Sequence, residues 1–154
     1  MKLVSACLLG VRCRWDGKIK GDRKIIELVK KEILIPVCPE QLGGLPTPRK
    51  PCGILGGNGE DVLNGKAKVL SAKSGEDFTK NFIKGAKETL KIAKIFGIKE
   101  AILKQPSPSC GLGKTYALDE KFKNKKVEGN GVTAALLKRH GIKVLTEKDY
   151  NDKN

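Results

Sequence analysis

Histidine is almost absent: the 154 residues hold one, His140. It stands beside Gly141 at the close of a helical pattern, where an imidazole complements the helix dipole. A histidine zinc site or a histidine triad is therefore not expected. Aromatic side chains are also few, with one Trp, two Tyr and four Phe, so a platform that stacks successive bases would be sparse. No apolar run approaches the roughly 18 residues of a membrane span. The N-terminal run that reaches Cys7 is too short for the apolar core of a secretory signal, and the expected location is the cytoplasm. No C-x2-C pair occurs, which argues against the common structural zinc modules. The five cysteines are odd in number and unevenly spread, so a disulfide framework is a poor reading. Acidic residues are outnumbered 17 to 31 by Lys and Arg, leaving a net charge of +14. Such a surface attracts polyanions and would steer an RNA toward it. Lysine supplies most of the excess, and lysine scattered along helices and loops is more often a solvated face.

What is there alternates between strand and helix signals. Residues 2–6, 33–37, 100–105 and 142–146 read as strands, and the second carries Pro36, which favours a sheet edge. Helices are expected from Asp22 to about Glu32, from a capping box at Ser74 and Asp77 to Phe96, and from Gly131 to His140. An Asn-Gly pair within 61–72 suggests a small hairpin, and the lysine-heavy stretch 119–130 suggests a surface excursion. These elements predict a three-layer αβα sandwich, Rossmann-like, on a mainly parallel sheet of order 2-1-3-4 with long active-site loops. One domain over residues 1–148 is expected, with a frayed tail at 149–154.

Ligands of such sheets bind beyond the carboxyl ends of the strands, where strand order reverses. Three cysteines follow three of the predicted strands: Cys7, Cys38 and Cys110. Convergence of three thiolates is what a soft metal site requires. Zinc with water as its fourth ligand, or three irons of a 4Fe-4S cluster with the fourth iron open, would both satisfy it. Spacing does not choose between them. Cys13 reads as packing or a reserve ligand and Cys52 as incidental. Glu40, Asp16, Ser107, Ser109 and Lys104 are the groups near the thiols able to handle protons or orient a substrate. Glu40, two residues past Cys38, is the foremost. Arg49, between prolines, is either a clamp for a substrate anion or a solvated loop residue.

Four ordered motifs carry a resemblance. Val4 to Gly10 with Cys13 to Gly17, Cys38 to Arg49, Ser107 to Gly111, and Gly129 to Leu137 together resemble the thiouracil desulfurase family over nearly the whole chain. The resemblance implies a 4Fe-4S cluster held by Cys7, Cys38 and Cys110, whose open iron takes the sulfur of a thiolated pyrimidine and leaves uracil and sulfide without net redox change. It places Glu40 at proton transfer and Ser107 at activating water or orienting the base. Asp16, Arg49, Lys104 and Ser109 are then the expected substrate-binding residues. Trp15, where tyrosine is usual, and Tyr116 to Asp119, where a tighter Asp-Gly turn is usual, depart from the family pattern. The expected partner is a small thiopyrimidine. The alternatives are a thiouridine in tRNA, reached through the basic surface, and a non-catalytic zinc or cluster module that docks on RNA.

Overall fold

A computed structural model describes residues 1–151. The chain runs through β1 (Lys2–Ser5), a 3-10 turn (Ala6–Leu9), α1 (Arg23–Leu28), β2 (Leu34–Val37), α2 (Pro39–Leu42), β3 (Cys52–Leu55), α3 (Gly59–Leu63) and β4 (Lys68–Ser71). It continues through α4 (Thr79–Ile95), β5 (Glu100–Leu103), β6 (Lys114–Leu118), β7 (Asn124–Glu128), α5 (Val132–Arg139), β8 (Lys143–Thr146) and α6 (Lys148–Asn151).

The four predicted strands form one parallel sheet in the order β2-β1-β5-β8, which is the predicted 2-1-3-4. Pro36 lies in β2 at its edge, where a missing N–H leaves no ladder bond unmade. Side chains alternate across this sheet. Leu3, Ala101 and Leu103 face a core shared with Phe82, Ala86, Leu90 and Ala93 of α4 and with Val132 and Leu137 of α5. Val4 and Ile102 face the opposite way, onto Leu8, Ile25 and Leu34. The sheet is thus covered on both faces, which is why its strands are apolar at their centres. Each fully buried Leu, Ile, Val or Phe among them contributes about 1.5–3 kcal/mol relative to exposure.

A second, mixed sheet, β4-β3-β6-β7, was not anticipated. The expected hairpin at 61–72 does not form: α3 occupies Gly59–Leu63 behind a capping box of Asn58 and Asp61, and β4 pairs antiparallel with β3 instead. The expected capping box at Ser74 is absent as well. Asp77 accepts from Thr79 N, Ser74 accepts from Glu76 N, and α4 begins after Phe78. The stretch 119–130 lies on the surface as expected, but it contains β7, exposed along its whole length. Of the tail expected to fray, 149–151 belong to α6, where Asn151 donates to Asp22, and 152–154 lie outside the described residues. No helix among the described residues is long and apolar enough to cross a membrane.

Helix α2, which follows Cys38 directly, is set against α4 by two glycines. A Cβ on Gly85 would stand 1.8 Å from Pro39 O, and one on Gly43 would stand 2.1 Å from Asn81 O. The Asn81 side chain donates to Gly43 O at 2.9 Å across the same contact. Alanine at 85 would gain roughly 1 kcal/mol of helix propensity but forces the two backbones apart. The expected result for Gly85→Ala is a net loss of about 2 kcal/mol, read as a lower urea midpoint at unchanged slope.

Candidate active site

Three loops at the carboxyl end of the parallel sheet build the site. After β1 the chain enters the 3-10 turn that carries Cys7, and the loop behind it returns Cys13. After β2 it passes directly through Cys38, the residue before α2, with Glu40 in that helix's first turn. After β5 it runs through Lys104 to Gly111. This third loop is bonded closely to its surroundings. Gln105, 7% exposed, donates from Nε2 to Cys110 O at 2.8 Å and accepts from Leu112 N at its Oε1. The first N–H groups of α5 donate to the loop's carbonyls: Val132 N to Pro108 O, and Thr133 N and Ala134 N to Ser109 O. A Cβ on Gly131 would meet Ser109 O at 2.6 Å, so the Gly129 to Leu137 motif seats the Ser107 to Gly111 motif.

The loops enclose a cavity of about 440 Å3. Every predicted site residue except Asp16 lines it, and so do all five cysteines. Cys13 stands within hydrogen-bonding reach of Cys7 and Cys38, which holds both their thiols below the ordinary value, Cys38 down to about 7. The same bonds push the Cys13 thiol up. Cys110, buried against Ser5 and Ser109, is pushed up to about 12 by desolvation. Ser5 Oγ donates to the Cys110 sulfur at 3.5 Å and accepts from Lys104 N at 3.0 Å, linking β1 to the third loop. Among the described residues no three His, Cys, Asp or Glu side chains are grouped to hold a single metal ion.

Beside the thiols lies a chain of oxygens. Glu40 Oε1 accepts from Arg49 Nε at 3.2 Å, and its Oε2 accepts from Ser109 Oγ at 3.0 Å. Ser109 has one proton to give, and a carboxylate oxygen at 3.0 Å is a stronger acceptor than the Cys110 sulfur at 3.6 Å. Ser107 Oγ stands 3.0 Å from Ser109 Oγ and accepts from the backbone N–H of Ser109 and of Cys110. With its own lone pairs so engaged, Ser107 donates to Ser109, and the line runs Ser107 to Ser109 to Glu40.

Other predicted groups sit differently. Asp16 turns to Arg14, whose fork holds its carboxyl down to about 2, and it is Arg14 that lines the cavity. Lys104 lines the cavity while its Nζ bonds Glu147 at 3.0 Å, a carboxylate that also accepts from Gln105 N. Cys52, read as incidental, opens β3 at the cavity wall, where burial pushes its thiol up to about 12. Arg14, Asn124 and Lys126 were not foreseen as lining residues. The last two come from β7, and only recognition of the second sheet would have placed them. Trp15 and Tyr116, the two points of departure from the family pattern, both line the cavity.

A family model described as 2-thiouracil desulfurase matches residues 3–149. The chain belongs to this family. A protein of Bacillus subtilis (strain 168), YbbK, described as uncharacterized, is 49% identical over 152 residues, covering 99% of both chains. Among solved structures, the [4Fe-4S]-dependent thiouracil desulfidase TudS superposes with a TM-score of 0.81 at 39% identity, over 98% of this chain and 93% of that one.

The thiol environments predict an order of reactivity. In apo-protein near pH 7.5, Cys38 and Cys7 alkylate first, and Cys110 and Cys52 react at least ~100-fold more slowly because little thiolate is present. Peptide mass spectrometry after a short pulse of iodoacetamide reads the order.

Proposed function

We propose that the protein removes sulfur from a small thiolated pyrimidine of the 2-thiouracil kind, giving uracil and sulfide without net redox change. The observation that carries this reading is the meeting of Cys7, Cys38 and Cys110 on one cavity with the Glu40, Ser109 and Ser107 chain beside them. Family membership and the likeness to TudS support it.

The donor set fits a 4Fe-4S cluster. Cysteine sulfur is the ligand such clusters take, three loops present it from separate walls of a cavity, and two of the thiols are already shifted toward thiolate. Cys7, Cys38 and Cys110 would hold the group, leaving one iron without a protein ligand. When bound, that iron supplies a soft Lewis acid with affinity for a thiocarbonyl sulfur.

The chain's own residues supply the proton chemistry. Replacing C=S by C=O consumes water and returns hydrogen sulfide, so two protons leave the water oxygen and no oxidation state changes. Glu40 Oε2, facing the cavity through Ser109, is the acceptor for the first proton. Ser107, whose lone pairs are taken by two backbone N–H donors, donates to Ser109 and so turns the Ser109 proton toward Glu40. Trp15 and Tyr116 on the wall suit a flat ring.

A second substrate, thiouridine within tRNA, is favoured by one feature. Lys126 of the exposed strand β7 and Lys20 both line the cavity, so a basic surface is continuous with it. Turnover of that substrate would fall steeply with salt, whereas turnover of the free base would not.

Protein purified without oxygen is expected to be brown and to carry about four irons and four sulfides per chain. Colourless protein with stoichiometric zinc would overturn the proposal and favour the non-catalytic module. Sulfide release from 2-thiouracil is expected to vanish in Cys110→Ala. It should fall about 10²–10⁴-fold in Glu40→Gln, and an undiminished Glu40→Gln rate would remove the glutamate from the mechanism.

A further inference from the structure

Arg49 was expected either to clamp a substrate anion or to sit in solvent, and the structure buries it at the cavity wall with its guanidinium already bonded. Its side chain is 6% exposed. Its backbone N–H donates to Trp15 O at 2.8 Å, which ties the second loop to the first. Its guanidinium has five N–H donors, and the structure offers five acceptors. Nε bonds Glu40 Oε1 at 3.2 Å, and Nη1 bonds Pro46 O at 3.2 Å and Thr47 Oγ1 at 3.0 Å. Nη2 bonds Cys13 O at 2.8 Å and points to the Cys38 sulfur at 4.0 Å. The count closes, with no donor left over for a ligand. Only the Pro46 acceptor is exposed; releasing the donors to Glu40, Thr47 or Cys13 would leave a partly buried group unpaired.

We infer that Arg49 is a positioning residue: it fixes the Glu40 carboxylate, and with it the direction of Oε2 toward Ser109, relative to the Cys38 sulfur, and it does not bind substrate. This rests on the desulfurization reading above. One planar fork reaches the proton-handling carboxylate and a cysteine sulfur of the loop after β2 and the carbonyl of Cys13 in the loop after β1. Lysine cannot reproduce it, because an ammonium on a flexible stem has three donors and no fixed plane. Displacement of a reacting group by about 1 Å is enough to cost ~100-fold in rate. The guanidinium also places a positive charge beside the Cys38 sulfur, a contact of the kind that raises the reduction potential of a sulfur-ligated cluster.

The test compares Arg49→Gln and Arg49→Lys with the unmodified holoenzyme. Both variants are expected to lower kcat for sulfide release from 2-thiouracil about 10–100-fold, with KM within about threefold of the parent, as expected for lost positioning. The cluster potential of Arg49→Gln should shift to a lower value. Should Arg49→Gln fail to fold, Arg49→Lys carries the kinetic comparison. A KM raised about tenfold or more at unchanged kcat would make Arg49 an anion clamp and overturn the inference. Unchanged kcat, KM and potential would overturn it as well. Should the unmodified protein release no sulfide, the desulfurase reading falls by itself. The Arg49 to Glu40 contact is then judged in purified protein by urea unfolding of Arg49→Gln, Glu40→Gln and the double variant. Non-additive losses support the contact, and additive losses remove it.

Discussion

The site depends on how a loop rich in serine and proline is held rigid without secondary structure of its own. Buried backbone groups must find partners, and the loop after β5 finds them in the N-terminus of α5. A helix begins with N–H groups that its own ladder leaves unused. Here those of Val132, Thr133 and Ala134 are taken by Pro108 O and Ser109 O. One exchange completes both the helix start and the loop. Gln105 closes the other side of the loop with Cys110 and Leu112. Cys110, Ser107 and Ser109 therefore owe their positions to residues some distance along the chain. Gly131 is needed because any side chain there would occupy the space of Ser109 O.

The parallel sheet was legible because burial on both faces demands unbroken apolar strands, and Lys2–Ser5, Leu34–Val37, Glu100–Leu103 and Lys143–Thr146 carry nearly that composition. The convergence of Cys7, Cys38 and Cys110 followed from strand order alone. The second sheet was hidden for the converse reason. Asn124–Glu128 is exposed at every position, so it carries no apolar alternation, and Cys52–Leu55 contains a glycine that reads as loop. The Asn64-Gly65 pair looked like a hairpin turn, yet the residues before it form α3, under the Asn58 cap. Long-range partners decided these segments, and local pattern does not record them.

Within the site, residue types were readable but commitments were not. Glu40, Ser107 and Ser109 stand where their sequence positions suggested, and the order in which they bond emerges only from distances. Asp16 and Arg49 looked like free charged groups, but each is spent on a neighbour, Asp16 on Arg14 and Arg49 on Glu40 and Cys13. A charged residue in a loop reveals its chemistry but not its creditor. Cys13 is the converse case: its sequence position suggests packing or a reserve ligand, and it stands between two thiols whose ionisation it shifts.

Strand β7 has a further consequence. It is the outer strand of its sheet, and an open edge offers unpaired N–H and C=O groups to any extended chain that approaches. Lys125 and Lys126 lie in the middle of that edge. A second copy of the strand would have to bring its own lysines against them, and like charges directly opposite are destabilising. Part of the +14 net charge therefore works as a guard against aggregation through this edge, a use of charge that requires no ligand.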